Sequence, residues 1–309
     1  MRTEMSGLCP MDVHIAHGDG PVTPSLPLIL GHEGVGRVVQ LGPGVIAPQV
    51  GTRVALGWLG YACGMCRCCA TGREDLCVAQ KNRGSALAGT HAEYAIAAAA
   101  FAVPVPASVS SMDAASLTCA GVTALGAVRA ADVLPAERVA VFGVGGPGYL
   151  ALQYARLHGA EVLAVDLSED GLALATAVGA DHVIGAAAGD PTRAIAEFGG
   201  VDVAIVFGDA PGFFDQAIHS LRWGGRLVIG SHSASAATLP VQDLVRDGIR
   251  VIGTFGGRRQ DLRDVFRLQE LGRTTVVAQP RALSSAVTSM QELVAGTVPA
   301  SLVFDLSLA

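Results

Sequence analysis

The stretch from Val139 to Asp166 limits what this chain can fold into more than any other part of it. Val139-Ala140-Val141-Phe142 reads as a buried strand, and Gly143-Val144-Gly145-Gly146-Pro147-Gly148 follows as a sharp turn. Residues 149–158 read as a helix closing at Gly159, and residues 161–166 as a second strand ending in Asp166. Strand, glycine turn, helix, strand and acid in this order form the fingerprint of a dinucleotide site on a parallel sheet. Gly143 permits the tight turn, Gly145 lets the backbone approach a pyrophosphate, and Gly148 lets the helix lie close on the strand. Gly146 and Pro147 share the turn and join them as candidate cofactor contacts. The helix start adds N–H groups and a partial positive charge suited to phosphate. The plainer alternative is an ordinary tight turn in another doubly wound sheet.

Past Arg138 the apolar pattern keeps alternating. Strands are expected at 139–142, 161–166, 201–207 and 226–230 with helical stretches between them, the signature of a doubly wound parallel sheet. Residues 247–255 read as a last, edge-forming strand, 262–271 and 284–295 as helices, and 301–306 as a closing strand. Residues 1 to about 110 differ: short apolar runs between glycines and prolines predict an all-β domain. Residues 112–131, rich in alanine, predict a long helix.

With 309 residues the chain has room for two cores. Half of it is hydrophobic and only 16% charged, with mean hydropathy +0.45, as expected of strands covered on both faces. No apolar run reads as long enough to span a bilayer, and the opening MRTEMSGLC lacks a signal-peptide core, so a cytoplasmic protein without a membrane partner is expected. A net charge of −6 with no basic cluster argues against a nucleic-acid partner.

Four of the seven cysteines crowd into residues 63–69. Cys63, Cys66, Cys69 and Cys77 place four thiols in one loop, enough to close a tetrahedral zinc site with no open position. Cys68 falls between them as a spectator. Disulfides or an iron–sulfur cluster are the competing readings, the first suited to a secreted chain. Ligand types also occur apart from the loop: Cys9 in GLCPMDVH, His32 and Glu33 in GHEGVG, and Cys119 in LTCAGVTALG.

Taken together and in this order, these segments resemble the medium-chain dehydrogenase/reductase family, in its zinc-dependent alcohol dehydrogenase branch, over essentially the whole chain. The resemblance implies a GroES-like all-β catalytic domain over residues 1–120 that includes the structural zinc lobe 63–77. It implies a Rossmann domain over 121–256 and a return to the catalytic domain over 257–309. It implies a catalytic zinc on Cys9, His32 and Cys119, with Glu33 able to approach the metal, Asp12 orienting the histidine, and a fourth position open for water or substrate. Iron–sulfur is disfavoured on the same ground. The expected activity is hydride transfer between NAD(H) and a small-molecule alcohol, aldehyde or ketone. Asp166 would bond the adenosine ribose diol, and Leu167 and Ser168 offer no cation to a 2′-phosphate, so NAD is expected over NADP. A homodimer or homotetramer is expected, joined by symmetric pairing of residues 250–255.

The chain departs from the family pattern at several points. Cys9 stands almost at the start, where the family has roughly 30 to 40 earlier residues, several strands' worth. Their absence predicts unpaired edges in the β domain. Met11 stands where a Ser or Thr usually passes a proton from the substrate oxygen through the cofactor ribose to a histidine, here His14. A thioether cannot donate that bond. Pro10 and Ser301 stand where related enzymes often have pyrophosphate-binding arginines, and Arg259 is the expected substitute. Gly20 replaces a bulky residue and predicts a roomier pocket, with Trp58 still forming a wall. The broken relay makes conjugate reduction by the same fold an alternative activity. A non-catalytic member is a further alternative, opposed by the intact Cys9, His32, Glu33 and Cys119 set.

Overall fold

The computed structural model describes residues 1–19, 24, 26–208, 210–230, 238–298 and 300–308. Gly20 lies outside them. The chain divides into two compact units, one of residues 1–122 and 256–309, the other of residues 123–255.

In chain order the first unit begins with β1 (Arg2–Leu8), α1 (Pro10–His17), β2 (Gly34–Arg37), β3 (Arg53–Leu56) and β4 (Leu59–Tyr61). The short α2 (Arg67–Ala70), β5 (Lys81–Asn82), β6 (Val103–Pro104) and α3 (Ser111–Ser116) follow. A π-helical turn over Leu117–Gly121 joins α3 to α4 (Val122–Ala130), and the unit boundary falls at the start of α4. The second unit holds β7 (Arg138–Phe142), α5 (Gly148–Leu157), β8 (Glu161–Asp166), α6 (Glu169–Ala177), β9 (His182–Gly185) and α7 (Pro191–Glu197). It continues with β10 (Val201–Val206), α8 (Phe213–His219), β11 (Leu221–Ile229), α9 (Val241–Asp247) and β12 (Arg250–Gly253). The chain then returns to the first unit with α10 (Arg259–Glu270), β13 (Ala278–Ala282), α11 (Ala286–Val294) and β14 (Ser301–Asp305).

The second unit is a six-stranded sheet in the order β12-β11-β10-β7-β8-β9, with every neighbouring pair parallel. Its central strands carry Val139 to Phe142 and Val203 to Val206, all fully buried, which explains why they read as continuous apolar runs. The strand order reverses between β7 and β10, so the glycine turn after β7 sits at the switch point of the sheet, where such folds bind ligands. As expected, the last strand of this unit, β12, lies at the sheet edge. The other edge, β9, was not legible: it is four residues long and only half-buried.

The first unit holds a sheet in the order β13-β14-β1-β2-β3-β6, antiparallel except between β13 and β14. β1 is hydrogen-bonded on both sides, to β2 and to β14, so it is not one of the edges of this sheet. Leu8, Leu302 and Phe304 form a core there under α11, which contributes Ala286, Met290 and Leu293. The helical stretch Ser111–Ala130 corrects one expectation. By length and composition it is apolar enough to cross a membrane, and 67% of its most apolar window is buried inside the protein, as in a core helix.

Candidate functional site

The cysteines fall into two groups of candidate ligands. Among the described residues, one group gathers Cys63, Cys66, Cys69 and Cys77, the other Cys9, His32, Glu33 and Cys119, with ligand atoms in each lying within 4.8 Å of one another. Two thiolates at about 2.3 Å from a tetrahedral ion stand about 3.8 Å apart. Cys63 Sγ and Cys69 Sγ are 4.0 Å apart, and so are Cys9 Sγ and Cys119 Sγ. Both groups therefore already have the spacing that zinc needs.

In the loop of four cysteines the backbone turns toward sulfur. The Cys66 N–H donates to Cys63 Sγ at 3.3 Å and the Cys63 N–H to Cys77 Sγ at 3.4 Å. Backbone N–H groups of Met65 and Cys66 draw the Cys63 thiol down to about 6. Four free thiols, with backbone donors aimed at Cys63 and Cys77, suit a closed metal site.

The loop is fastened from the C-terminal return. Arg259, at the start of α10, places its backbone N–H 3.0 Å and its Nε 2.9 Å from Glu74 Oε1. Its guanidinium also lies 4.4 Å from the centre of the Phe101 ring and donates to the Ala100 carbonyl at 2.7 Å. Arg259, expected to supply a charge to the cofactor pyrophosphate, has its guanidinium paired with Glu74 in the structure. Sequence could not show this, because the partner lies 185 residues away.

The second group is built from three different local structures. Cys9 is the residue before α1, fixed by Pro10 at the first helical position. His32 and Glu33 sit in the turn before β2, and Gly31, with φ +96°, makes that turn. Cys119 sits within the π-helical turn. There Thr118 Oγ1 donates to the Ala114 carbonyl at 2.6 Å, a side-chain bond that competes with the helical ladder. Such turns inside helices are frequent at functional sites.

Asp12 organises the centre. Its Oδ1 accepts from the Gly31 N–H at 3.0 Å and lies 3.2 Å from His32 Nδ1, while its Oδ2 accepts from the Cys9 N–H at 3.0 Å. Burial works against its charge, yet His32 beside it holds the carboxyl well below the usual range. For His32, burial opposes protonation, but Asp12 and then Cys9 raise it well above its ordinary value. The neighbouring Cys119 thiol, and then burial, push the Cys9 thiol up; burial, and then Cys9, push the Glu33 carboxyl up. Anionic ligands packed this closely in a buried space suit a cation between them. Trp58 stands edge-on to the His32 ring at 5.1 Å, so it does flank the site. Met11 is buried beside Asp12 on α1. His14 is half-exposed and sits 3.2 Å from Asp19.

Sequence reasoning missed His91. Its side chain is only 7% exposed, its Nδ1 lies 2.8 Å from Ser6 Oγ, and its Nε2 lies 3.8 Å from Asp12 Oδ2. Only its position, one of eight histidines in a glycine-rich loop, was visible beforehand.

In the second unit the dinucleotide turn is tight and open in the right places. A Cβ on Gly148 would meet the Gly143 carbonyl oxygen at 1.9 Å, and one on Gly143, whose φ is +87°, would meet the backbone of Gly208 at 2.6 Å. A Cβ on Gly145 would meet nothing within 4 Å among the described residues, which leaves that face of the turn open to a ligand there. Gly146 and Pro147 are half-exposed beside it, and no side chain caps α5. Asp166 Oδ2 accepts from the Val144 N–H at 2.6 Å and Oδ1 from the Ser168 N–H at 2.8 Å. The acid thus holds the glycine turn against the end of β8, and keeps lone pairs for a ribose diol.

This combination defines a two-domain dehydrogenase fold, and comparison places it in a family. Residues 1–107 match the alcohol dehydrogenase GroES-like domain and residues 146–271 the zinc-binding dehydrogenase domain. An alcohol dehydrogenase of Geobacillus stearothermophilus is 38% identical over 299 residues, covering 96% of this chain and 89% of that protein. A cobalt- and zinc-bound thermostable alcohol dehydrogenase from Pyrobaculum aerophilum superposes with a TM-score of 0.88 at 29% identity, covering 99% of this chain and 90% of that one. An NAD-dependent alcohol dehydrogenase superposes with a TM-score of 0.91 at 28% identity, with 99% and 90% covered. The chain belongs to the zinc-dependent alcohol dehydrogenase branch of the medium-chain dehydrogenase/reductase family.

Proposed function

We propose that this chain transfers hydride between NAD(H) and an alcohol, aldehyde or ketone at a zinc held by Cys9, His32 and Cys119. A second zinc in the loop of Cys63, Cys66, Cys69 and Cys77 is structural. The carrying observation is that Cys9, His32 and Cys119, remote in sequence, bring their ligand atoms within 4.8 Å of one another and of Glu33.

When bound, the metal polarises the substrate oxygen and the nicotinamide exchanges the hydride. The chain's own residues do the rest. Cys9, His32 and Cys119 would hold the metal, and three protein ligands would leave it free to take the substrate oxygen. Asp12 fixes His32 as the Nδ1 donor, so that Nε2 faces the metal position. Glu33 is placed to exchange at that position. Asp166 receives the adenosine ribose, and the face of Gly145 receives the pyrophosphate. NAD is favoured over NADP because the carboxylate would repel a 2′-phosphate.

Met11 favours a second reading, conjugate reduction of an enone-like bond. Its thioether offers no proton to the substrate oxygen, and in conjugate reduction the proton is needed elsewhere. Metal analysis together with NADH oxidation against parallel panels of aldehydes, ketones and enones tests both. Up to two zincs per chain and carbonyl turnover support the first reading, turnover of enones alone the second, and activity without zinc refutes both.

The protein assembles as a homodimer or homotetramer through β12, an edge strand whose Val251 and following Phe255 are exposed, as expected of a strand that pairs with its symmetry mate. Light scattering at micromolar concentration tests this; a monomer refutes it.

A further inference from the structure

Asp12 has more partners than its role toward one ligand requires. The Gly31 and Cys9 N–H groups already fix the carboxylate on both oxygens. His32 takes one of the remaining sites through Nδ1. The last site faces His91 Nε2, 3.8 Å from Oδ2, and that nitrogen is buried with no hydrogen-bond partner among the described residues.

The surroundings of His91 favour a proton on Nε2. Ser6 Oγ lies 2.8 Å from His91 Nδ1 and 2.8 Å from Thr90 Oγ1, and both hydroxyl residues are buried. Were Nδ1 protonated, Nε2 would turn a bare lone pair toward a buried carboxylate. The consistent arrangement runs the other way. Thr90 donates to Ser6, Ser6 donates to Nδ1, and Nε2–H is aimed at Asp12. The ring is held in that pose by Phe304, edge-on at 5.0 Å, and by Gly31, where a Cβ would strike Nδ1 at 2.6 Å.

We infer that His91 is a positioning residue for the metal site: a second imidazole that shares the charge of Asp12 with His32 and so limits how strongly His32 donates to the metal. The inference rests on the assignment of Cys9, His32 and Cys119 as ligands. Because two backbone N–H groups already hold the carboxylate in place, loss of His91 leaves its geometry intact. It removes only the competitor for its charge. His32 then becomes the stronger donor, and the metal binds more tightly. A merely structural role predicts the opposite sign.

The test uses the full chain with zinc kept in the four-cysteine loop and only the Cys9, His32 and Cys119 position emptied and titrated with cobalt(II), whose visible absorption reports ligand strength. His91→Phe should bind cobalt up to about tenfold more tightly, the low end of the range for outer-shell partners, with shifted ligand-field bands. His91→Gln, which restores an N–H donor, should return both toward the unmodified protein. Ser6→Ala, which frees Nδ1 from its donor, should move affinity in the same direction as His91→Phe by less, and keeps the test open if the ring substitution prevents folding. Unchanged or weaker cobalt binding in His91→Phe, or in Ser6→Ala where it alone folds, overturns the inference. Absence in the unmodified protein of a thiolate-to-cobalt band that Cys9→Ser removes overturns the ligand assignment itself, and the inference with it.

Discussion

Replacing Asp166 by Asn separates the two duties of that residue. Its two oxygens each accept one backbone N–H, from Val144 at 2.6 Å and from Ser168 at 2.8 Å. An amide has a single carbonyl oxygen, so in either flip one N–H faces an NH₂ group. Val144 is fully buried, so water cannot readily replace a bond lost there. A hydrogen bond to a charged group contributes about 1.5–3 kcal/mol. A loss of about 2 kcal/mol lowers Tm by about 4–8 °C in a unit of this size. The ribose contact weakens separately: loss of the charge-assisted bond should reduce NAD affinity about tenfold or more. NADP affinity should fall less, because the repulsion of its 2′-phosphate is also removed. Differential scanning fluorimetry without cofactor reads the first duty, and calorimetric titration with NAD and NADP the second. A variant with unchanged Tm and unchanged preference for NAD would refute both parts of the argument.

Cys66→Ser should lose one zinc per chain and much stability, since metal binding energy in such a lobe is folding energy; two tightly held zincs in the variant would refute the four-thiolate site. Met11→Thr should raise turnover of simple alcohols roughly tenfold by restoring proton transfer. Brisk primary-alcohol turnover by the unmodified protein, unaltered in rate and pH dependence by the substitution, would count against it. For Glu74, burial opposes ionisation, but the bonds from Arg259 prevail and hold the carboxyl below its usual value. A depressed acid stabilises fully above its unfolded value, about 4.3, and the contribution is lost as pH falls through the lower folded value. Glu74→Gln should therefore be less stable at neutral pH and lose less on acidification; equal acid sensitivity of the two proteins in thermal melts would refute the clamp.

The strands of the second unit were legible because β7, β8 and β10 are buried on both faces and so are apolar at nearly every position. β13 was not, because it is half-buried and carries Pro280, which argues against a strand. The Cys9, His32, Glu33 and Cys119 group was found by resemblance alone, since ligands in three segments have no shared spacing to read. The π-helical turn that presents Cys119 leaves no mark in an alanine-rich stretch. The pairing of Arg259 and the place of His91 were not legible for one reason. A charge or an imidazole takes its meaning from its partner, and Glu74 and Asp12 are brought to them only by the fold.

The pairing of β1 with β14, Met5 opposite Asp305 and Leu8 opposite Leu302, also sets an order of events during synthesis. The parallel sheet of residues 123–255 is complete in the nascent chain before β14 is made, and domains form as units when they emerge. β1 is made well before β14 and has that side unpaired until β14 emerges. Cys9 follows β1 directly, so its position is settled only then. A metal ion captured at Cys9, His32 and Cys119 is thus captured after β14 has been made, however early its ligands were translated.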